Sequence, residues 1–227
     1  MARAGTPKRS GKGGKRTSDS SRTPEPTRPV LAGLRAPLAD LLAWLAGRHT
    51  PHVLIGGVAV GLLARPRATL DIDGIAWVAD GDWKKLVADA KASGFTPREK
   101  DPIEFIRQTR MLLLRHDASG VEIDLSLGAL PFEQAAIQRS VTLVIDGLSI
   151  PIPTPEDLII MKAIAHRPQD MADIDAIARA HPSIDVSVIE QTVSEFAEVL
   201  EQPELVHDLR RVLREATRPV GAPSGRR

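Results

Sequence analysis

The chain contains no cysteine and no tyrosine, and aromatic residues fill only 3% of its 227 positions. Without cysteine there is no disulfide and no thiolate zinc site. So few rings leave little means of holding single-stranded RNA by base stacking. No apolar run approaches the roughly 20 residues that span a bilayer. The basic N-terminus is followed by a Ser/Gly/Pro-rich stretch and not by the apolar segment of a secretory leader. A cytoplasmic protein without membrane association is the expectation. His52, His116, His166, His181 and His207 do not cluster at metal-ligand spacing.

Charge is nearly balanced over the whole chain but not along it. Residues 1–28 carry eight Lys or Arg against two Asp or Glu, and the remainder carries 22 basic against 27 acidic residues. The basic stretch has no apolar periodicity, so it is expected to be a disordered tail that adds electrostatic affinity at most.

After the tail the pattern is mixed. Helical spacing runs over residues 36–45, with Gly47 just beyond it. A short apolar strand covers 53–55, and a short helix from 58 to 64 stops before Pro66. A strand is expected over 70–78 and an amphipathic helix over 82–92, ending at Ser93-Gly94. Residues 110–115 and 121–125 read as an antiparallel hairpin, and 141–152 as a second one around Asp146-Gly147. Thr154 and Pro155 then open a helical region, with breaks near Arg167-Pro168, His181-Pro182 and Gln202-Pro203. The fold class is α+β, with a small mixed sheet, flanking helices and a C-terminal helical module. The expected boundaries are a tail at 1–28, a core at 29–153, the helical module at 154–218 and a frayed end at 219–227.

The chemistry concentrates in two short segments. Asp71 and Asp73 alternate on a strand, so both carboxylates project from one face. Adjacent carboxylates repel, and a cation between them relieves the repulsion. Their hard oxygens suit Mg²⁺ or Mn²⁺. Upstream, Gly56-Gly57 lies between an apolar strand and a helix, where bare backbone N–H groups can cradle phosphate. Metal-binding carboxylates beside a phosphate cradle point to chemistry on a nucleotide. Asp124, on a neighbouring strand, is placed as a third carboxylate, with Glu122 on the same face as its runner-up.

The ordered set Leu54-Ile55-Gly56-Gly57, Thr69-Leu70-Asp71-Ile72-Asp73 and Val121-Glu122-Ile123-Asp124 resembles the polymerase-β-type nucleotidyltransferase superfamily. Arg67-x-Thr69-x-Asp71-x-Asp73, with Lys162, Arg167, Asp170 and Asp173 in the later helical region, resembles the AbiEii-type branch, which includes type IV toxin–antitoxin toxins. The resemblance covers about residues 50–180. It implies a polymerase-β-like core and transfer of a nucleoside monophosphate from a nucleoside triphosphate such as ATP. Asp71, Asp73 and Asp124 would be catalytic and metal-binding. Gly56, Gly57, Arg67, Thr69, Lys162, Arg167, Asp170 and Asp173 would bind nucleotide. The acceptor hydroxyl would belong to a tRNA 3′ end, a protein or a small molecule, and a cognate antitoxin would be a partner.

Each motif has a plainer reading. Gly56-Gly57 also suits a tight turn, Asp71 and Asp73 an edge strand, and Lys162 or Arg167 ordinary surface pairs. On the functional side the alternative is a nucleotidyltransferase-like module that binds nucleotide, nucleic acid or a partner without turnover.

Overall fold

The computed structural model describes Met1, Leu31, residues 33–66 and residues 68–216. The expected tails, Met1 aside, and Arg67 lie outside the described residues. Among those residues no helix is long and apolar enough to cross a membrane.

Strands β1 (His52–Leu54), β2 (Asp71–Ala76), β3 (Phe95–Pro97), β4 (Met111–His116) and β5 (Glu122–Leu127) form one sheet in the order β1-β2-β5-β4-β3. β2 and β5 run parallel, and the other neighbours are antiparallel. β6 (Val141–Ile145) and β7 (Leu148–Ile152) make the separate hairpin, turning at Asp146-Gly147, where both residues have positive φ.

Period-two alternation gives the main sheet two unlike faces. Ile72 and Ala76 of β2, Leu112 and Leu114 of β4, and Ile123 and Leu125 of β5 are fully buried in the main core. The opposite face carries Asp71, Asp73 and Ile75 on β2 and Glu122, Asp124 and Ser126 on β5.

Helices α1 (Arg35–Gly47), α2 (Gly56–Leu63), α3 (Trp83–Ala92), α4 (Pro102–Thr109) and α5 (Pro131–Arg139) alternate with the strands. The helical region resolves into α6 (Pro155–Ala165), α7 (Pro168–Ala180), α8 (Val186–Leu200) and α9 (Glu204–Ala216). Its breaks fall at the three X-Pro steps, because proline disfavours a helical residue before it and suits the first turn of the next helix. Ile150 and Ile152 of β7 share one apolar cluster with Leu158 and Ile159 of α6, so the sheet and the helical layer have a continuous core. The sequence pattern leaves 95–109 and 128–140 unassigned. They hold β3, α4 and α5, each short and stabilised by what it packs against.

Thr154 caps α6 as its sequence implies, its Oγ1 accepting the Asp157 N–H at 3.1 Å. Asp157, in the first turn of α6, does more than serve the helix start. It is 3% exposed and accepts two hydrogen bonds from Arg139, from Nη2 at 2.7 Å and Nε at 3.2 Å, tying the end of α5 to the start of α6. Arg139 is half exposed and water can reclaim it. Asp157→Ala is therefore expected to cost about 1–2 kcal/mol, at the low end for charge-assisted bonds. Urea denaturation checks this, and an unchanged midpoint would remove the tie from the account of α5 and α6.

Candidate active site

The parallel pairing of β2 with β5 sets Asp73 directly beside Asp124, and Asp71 beside Glu122. Four carboxylates thus share one patch of sheet. Burial pushes the Asp73 carboxyl above its usual range, and the negative charges of Asp71 and Asp124 push the same way. Lys162 and Arg167 pull against that shift. Asp124 is also raised, first by burial and then by Asp71 and Glu122, with Arg98 opposing. Thr69 Oγ1 donates to Asp71 Oδ1 at 2.8 Å and fixes the outermost carboxylate.

Arg98 follows β3 immediately, and no sequence motif marks it. Its guanidinium reaches across β4 to β5, donating to Glu122 Oε2 at 2.7 Å and to Asp124 Oδ1. In the sequence it sits in Arg98-Glu99-Lys100, a run that looks like solvated surface. Only the placement of β3 at the edge beyond β4 brings it to the carboxylates.

Gly56 has φ of 61°, a conformation that glycine adopts without cost. A Cβ there would overlap the Asp73 carboxylate, standing 2.6 Å from its Cγ and 2.7 Å from its Cβ. Ile55 N–H donates to the Asp73 carbonyl at 2.9 Å, so the chain is pressed onto β2 just where α2 begins. The first N–H groups of a helix have no partner within it. Gly56 and Gly57 line the cavity in which Asp71, Asp73 and Asp124 stand.

The far wall comes from α6 and α7. Lys162 is 5% exposed, and its Nζ lies 2.8 Å from Asp170 Oδ1 and 3.0 Å from Asp173 Oδ2. Between the helices His166 takes a left-handed φ of 51°, and its ring meets Asp208 Oδ2 at 3.0 Å. That reversal makes Arg167 the residue before α7. Asp170 accepts from the Arg167 main-chain N–H at 3.1 Å and from its Nε at 2.7 Å. Burial would raise the Asp170 carboxyl, but the hydrogen bonds from Arg167 and Lys162 outweigh it and hold it below its usual range. The side chain of Arg167 is mostly exposed and borders the cavity.

The cavity, of about 360 Å³, gathers Gly56, Gly57, Asp71, Asp73, Asp124, Lys162, Arg167 and Asp170. Thr69, Asp173 and Glu122 are not among its lining residues, and Arg67 is outside the described residues. Asp170 and Asp173, expected as nucleotide contacts, are almost wholly buried and face Lys162. Among the described residues no group of three or more His, Asp or Glu is arranged so that it could hold a metal ion. What the site offers a cation is an open pair of hard oxygen donors, Asp71 and Asp73, with Asp124 alongside. Burial raises the Asp73 carboxyl first and the charges of Asp71 and Asp124 add to it; a divalent ion would relieve that second part.

In sequence, residues 39–214 match the family model "Nucleotidyltransferase of unknown function (DUF6036)". The chain belongs to this nucleotidyltransferase family. No curated protein matches the chain in sequence. Solved structures resemble it in fold. The antibiotic-resistance factor ANT(2″)-Ia, in its solution structure, is 16% identical with a TM-score of 0.52, covering 77% of this chain and 97% of that one. The same protein in complex with adenylyl-2″-tobramycin is 18% identical with a TM-score of 0.50, covering 73% and 97%. An antigenic nucleotidyltransferase-like protein from Paracoccidioides brasiliensis is 17% identical with a TM-score of 0.48, covering 79% and 93%. The nucleotidyltransferase thus has the α+β architecture expected of a polymerase-β-like core with added helices.

Two substitutions probe this packing. Gly56→Ala forces a Cβ into Asp73 and a strained φ, so it is expected to displace the carboxylate, cost about 1–3 kcal/mol and lower nucleotide turnover at least 100-fold. Thermal denaturation and turnover assays check it, and near-normal turnover would remove the close approach from the account. Lys162→Ala removes the buried cation from Asp170 and Asp173, which keep their bonds from Arg167 and Gln169, and is expected to cost about 3 kcal/mol. Denaturant unfolding measures it, and a loss under about 1 kcal/mol would show that Asp170 and Asp173 find other partners.

Proposed function

We propose that this nucleotidyltransferase moves a nucleoside monophosphate from a nucleoside triphosphate to an acceptor hydroxyl, with Mg²⁺ or Mn²⁺ held by Asp71 and Asp73. The reading rests above all on the pairing of Asp73 with Asp124 across parallel strands, opposite Gly56-Gly57 and Arg167 in one cavity. A bound divalent ion would neutralise phosphate charge as pyrophosphate departs. The protein's own groups do the rest. The N–H groups at Gly56 and Gly57 receive the terminal phosphates. Arg167, oriented by Asp170, reaches the triphosphate from the opposite wall and stabilises charge growing on the leaving pyrophosphate. Lys162 acts from behind, holding α6 to α7 and adding positive potential at Asp73. Asp124, its carboxyl raised by burial and paired beside Asp73, takes the proton of the attacking hydroxyl.

The helical element of Lys162, Arg167, Asp170 and Asp173 supports an AbiEii-type assignment within this reading. That assignment brings a toxin role in the cytoplasm, a cognate antitoxin, and a tRNA 3′ end or protein hydroxyl as further acceptor classes. Growth arrest on expression, relieved by the neighbouring gene, tests the toxin role directly. A module that binds nucleotide without turnover predicts instead binding with no label transfer.

Asp73→Asn tests the core proposal. Metal-dependent transfer of label from an α-labelled nucleoside triphosphate is expected to fall at least 1,000-fold. The metal-free variant is expected to be more stable than the wild type at pH 7. A raised folded-state carboxyl makes ionised Asp73 destabilising above the unfolded value, so the variant's advantage shrinks as pH falls toward about 4. Retained transfer, or a lower melting temperature at pH 7, would overturn the metal-ligand role.

A further inference from the structure

Beyond the carboxylates the same sheet face changes character. Ile75 and Ser126 are register partners one side-chain step past Asp73 and Asp124. That step is about 7 Å, at ~3.3 Å of rise per residue. They floor a second cavity of about 260 Å³, walled by Leu130, Phe132 of α5, Met161 and Ile164 of α6, and Phe196 of α8. Phe132 and Phe196 meet edge to face with ring centroids 5.7 Å apart. Ile55, Met161 and Ala165 line both cavities, so the two spaces adjoin.

The polar side chains of this second cavity are Ser126 and Glu133. Glu133 is committed: its Oε2 accepts the N–H groups of Ala129 at 2.8 Å and Leu130 at 2.9 Å at the start of α5. Among the described residues lining it, Ser126 is the one uncommitted hydrogen-bonding side chain. A nucleobase carries several donors and acceptors on its edge, and most would be buried here without partners. A polycation would meet a single carboxylate already engaged. An uncharged apolar ring or branched alkyl group meets matching walls.

We infer that this pocket is the acceptor subsite, and that the acceptor is a small hydroxyl compound bearing an uncharged apolar group. The apolar group would sit about 7 Å from the reacting hydroxyl, the strand distance from Ser126 back to Asp124. The inference rests on the nucleotidyl-transfer reading. The hydroxyl oxygen bonds to the α-phosphorus as the bond from that phosphorus to the bridging oxygen breaks. The electron pair leaves with pyrophosphate, and the hydroxyl proton passes to Asp124.

The probe is 3-phenylpropan-1-ol, with 1,3-propanediol as the hydroxyl compound lacking a ring. Saturation-transfer NMR is expected to show the phenyl ring in contact with the full-length wild-type protein, and the signal to fall several-fold in Ser126→Leu and Leu130→Asp. Label from an α-labelled nucleoside triphosphate is expected on the phenyl alcohol at least tenfold faster than on the diol. Both variants are expected to raise the KM for the phenyl alcohol tenfold or more, with less than a twofold change in nucleotide KM. Equal use of both alcohols, or unchanged acceptor KM in both variants, overturns the subsite. A rise in nucleotide KM in place of acceptor KM overturns it in favour of the nucleobase. Transfer to tRNA or protein alone overturns the acceptor class and leaves nucleotidyl transfer standing. Probe binding with no metal-dependent turnover on any acceptor, water included, overturns the transferase reading and the acceptor assignment with it.

Discussion

Asp73 and Asp124 lie side by side on parallel strands, and the cost of withdrawing both from water, with the repulsion that Asp71 adds to each, is the constraint around which the rest is arranged. Such a pair persists only if the fold supplies enough stability elsewhere and enough positive charge nearby. The stability comes from the opposite sheet face, where Ile72, Ile123, Leu112 and Leu114 are fully buried. The positive charge comes from three side chains on three separate elements. Arg98 approaches over β4, Lys162 from within α6, and Arg167 from the start of α7. Each is itself anchored by a carboxylate, so the cations are held in place before any ligand arrives.

That anchoring makes Asp170 the organising residue of the helical wall. It joins Lys162 and Arg167, which are five residues apart and separated by a chain reversal at His166. On one ideal helix the two cations would point about 140° apart. The break before Pro168 lets both face the same space, one buried and one exposed. Their burial differs sharply. Lys162 is enclosed between Asp170 and Asp173, whereas Arg167, though bonded to Asp170, keeps an exposed side chain at the cavity.

The sheet face itself carries a gradient. Along β2 and β5 it runs from Asp71 and Glu122, through Asp73 and Asp124, to Ile75 and Ser126. Polar chemistry at one end passes within two residues to an apolar floor. A site built this way can hold a charged phosphate and an uncharged ring in adjoining spaces without burying either in the wrong surroundings.

The sequence by itself determined the local features. Period-two alternation put Asp71 with Asp73 and Glu122 with Asp124. The glycine pair marked the strand–helix junction, Thr154-Pro155 marked a helix start, and the X-Pro steps marked the helix breaks. These are legible because each depends on a few consecutive residues and the steric rules of the backbone. Beyond the two hairpins, tertiary structure alone decided which strands became neighbours. The parallel register that pairs Asp73 with Asp124 joins residues about 50 positions apart, and no local pattern encodes it. The same holds for Arg98, which reads as surface until β3 is set at the sheet edge, and for Asp170 and Asp173, which the resemblance placed as nucleotide contacts and whose burial against Lys162 no local pattern shows. The physical reason is common to all three. Burial and charge pairing are properties of what surrounds a side chain in space, and those surroundings come from distant parts of the chain.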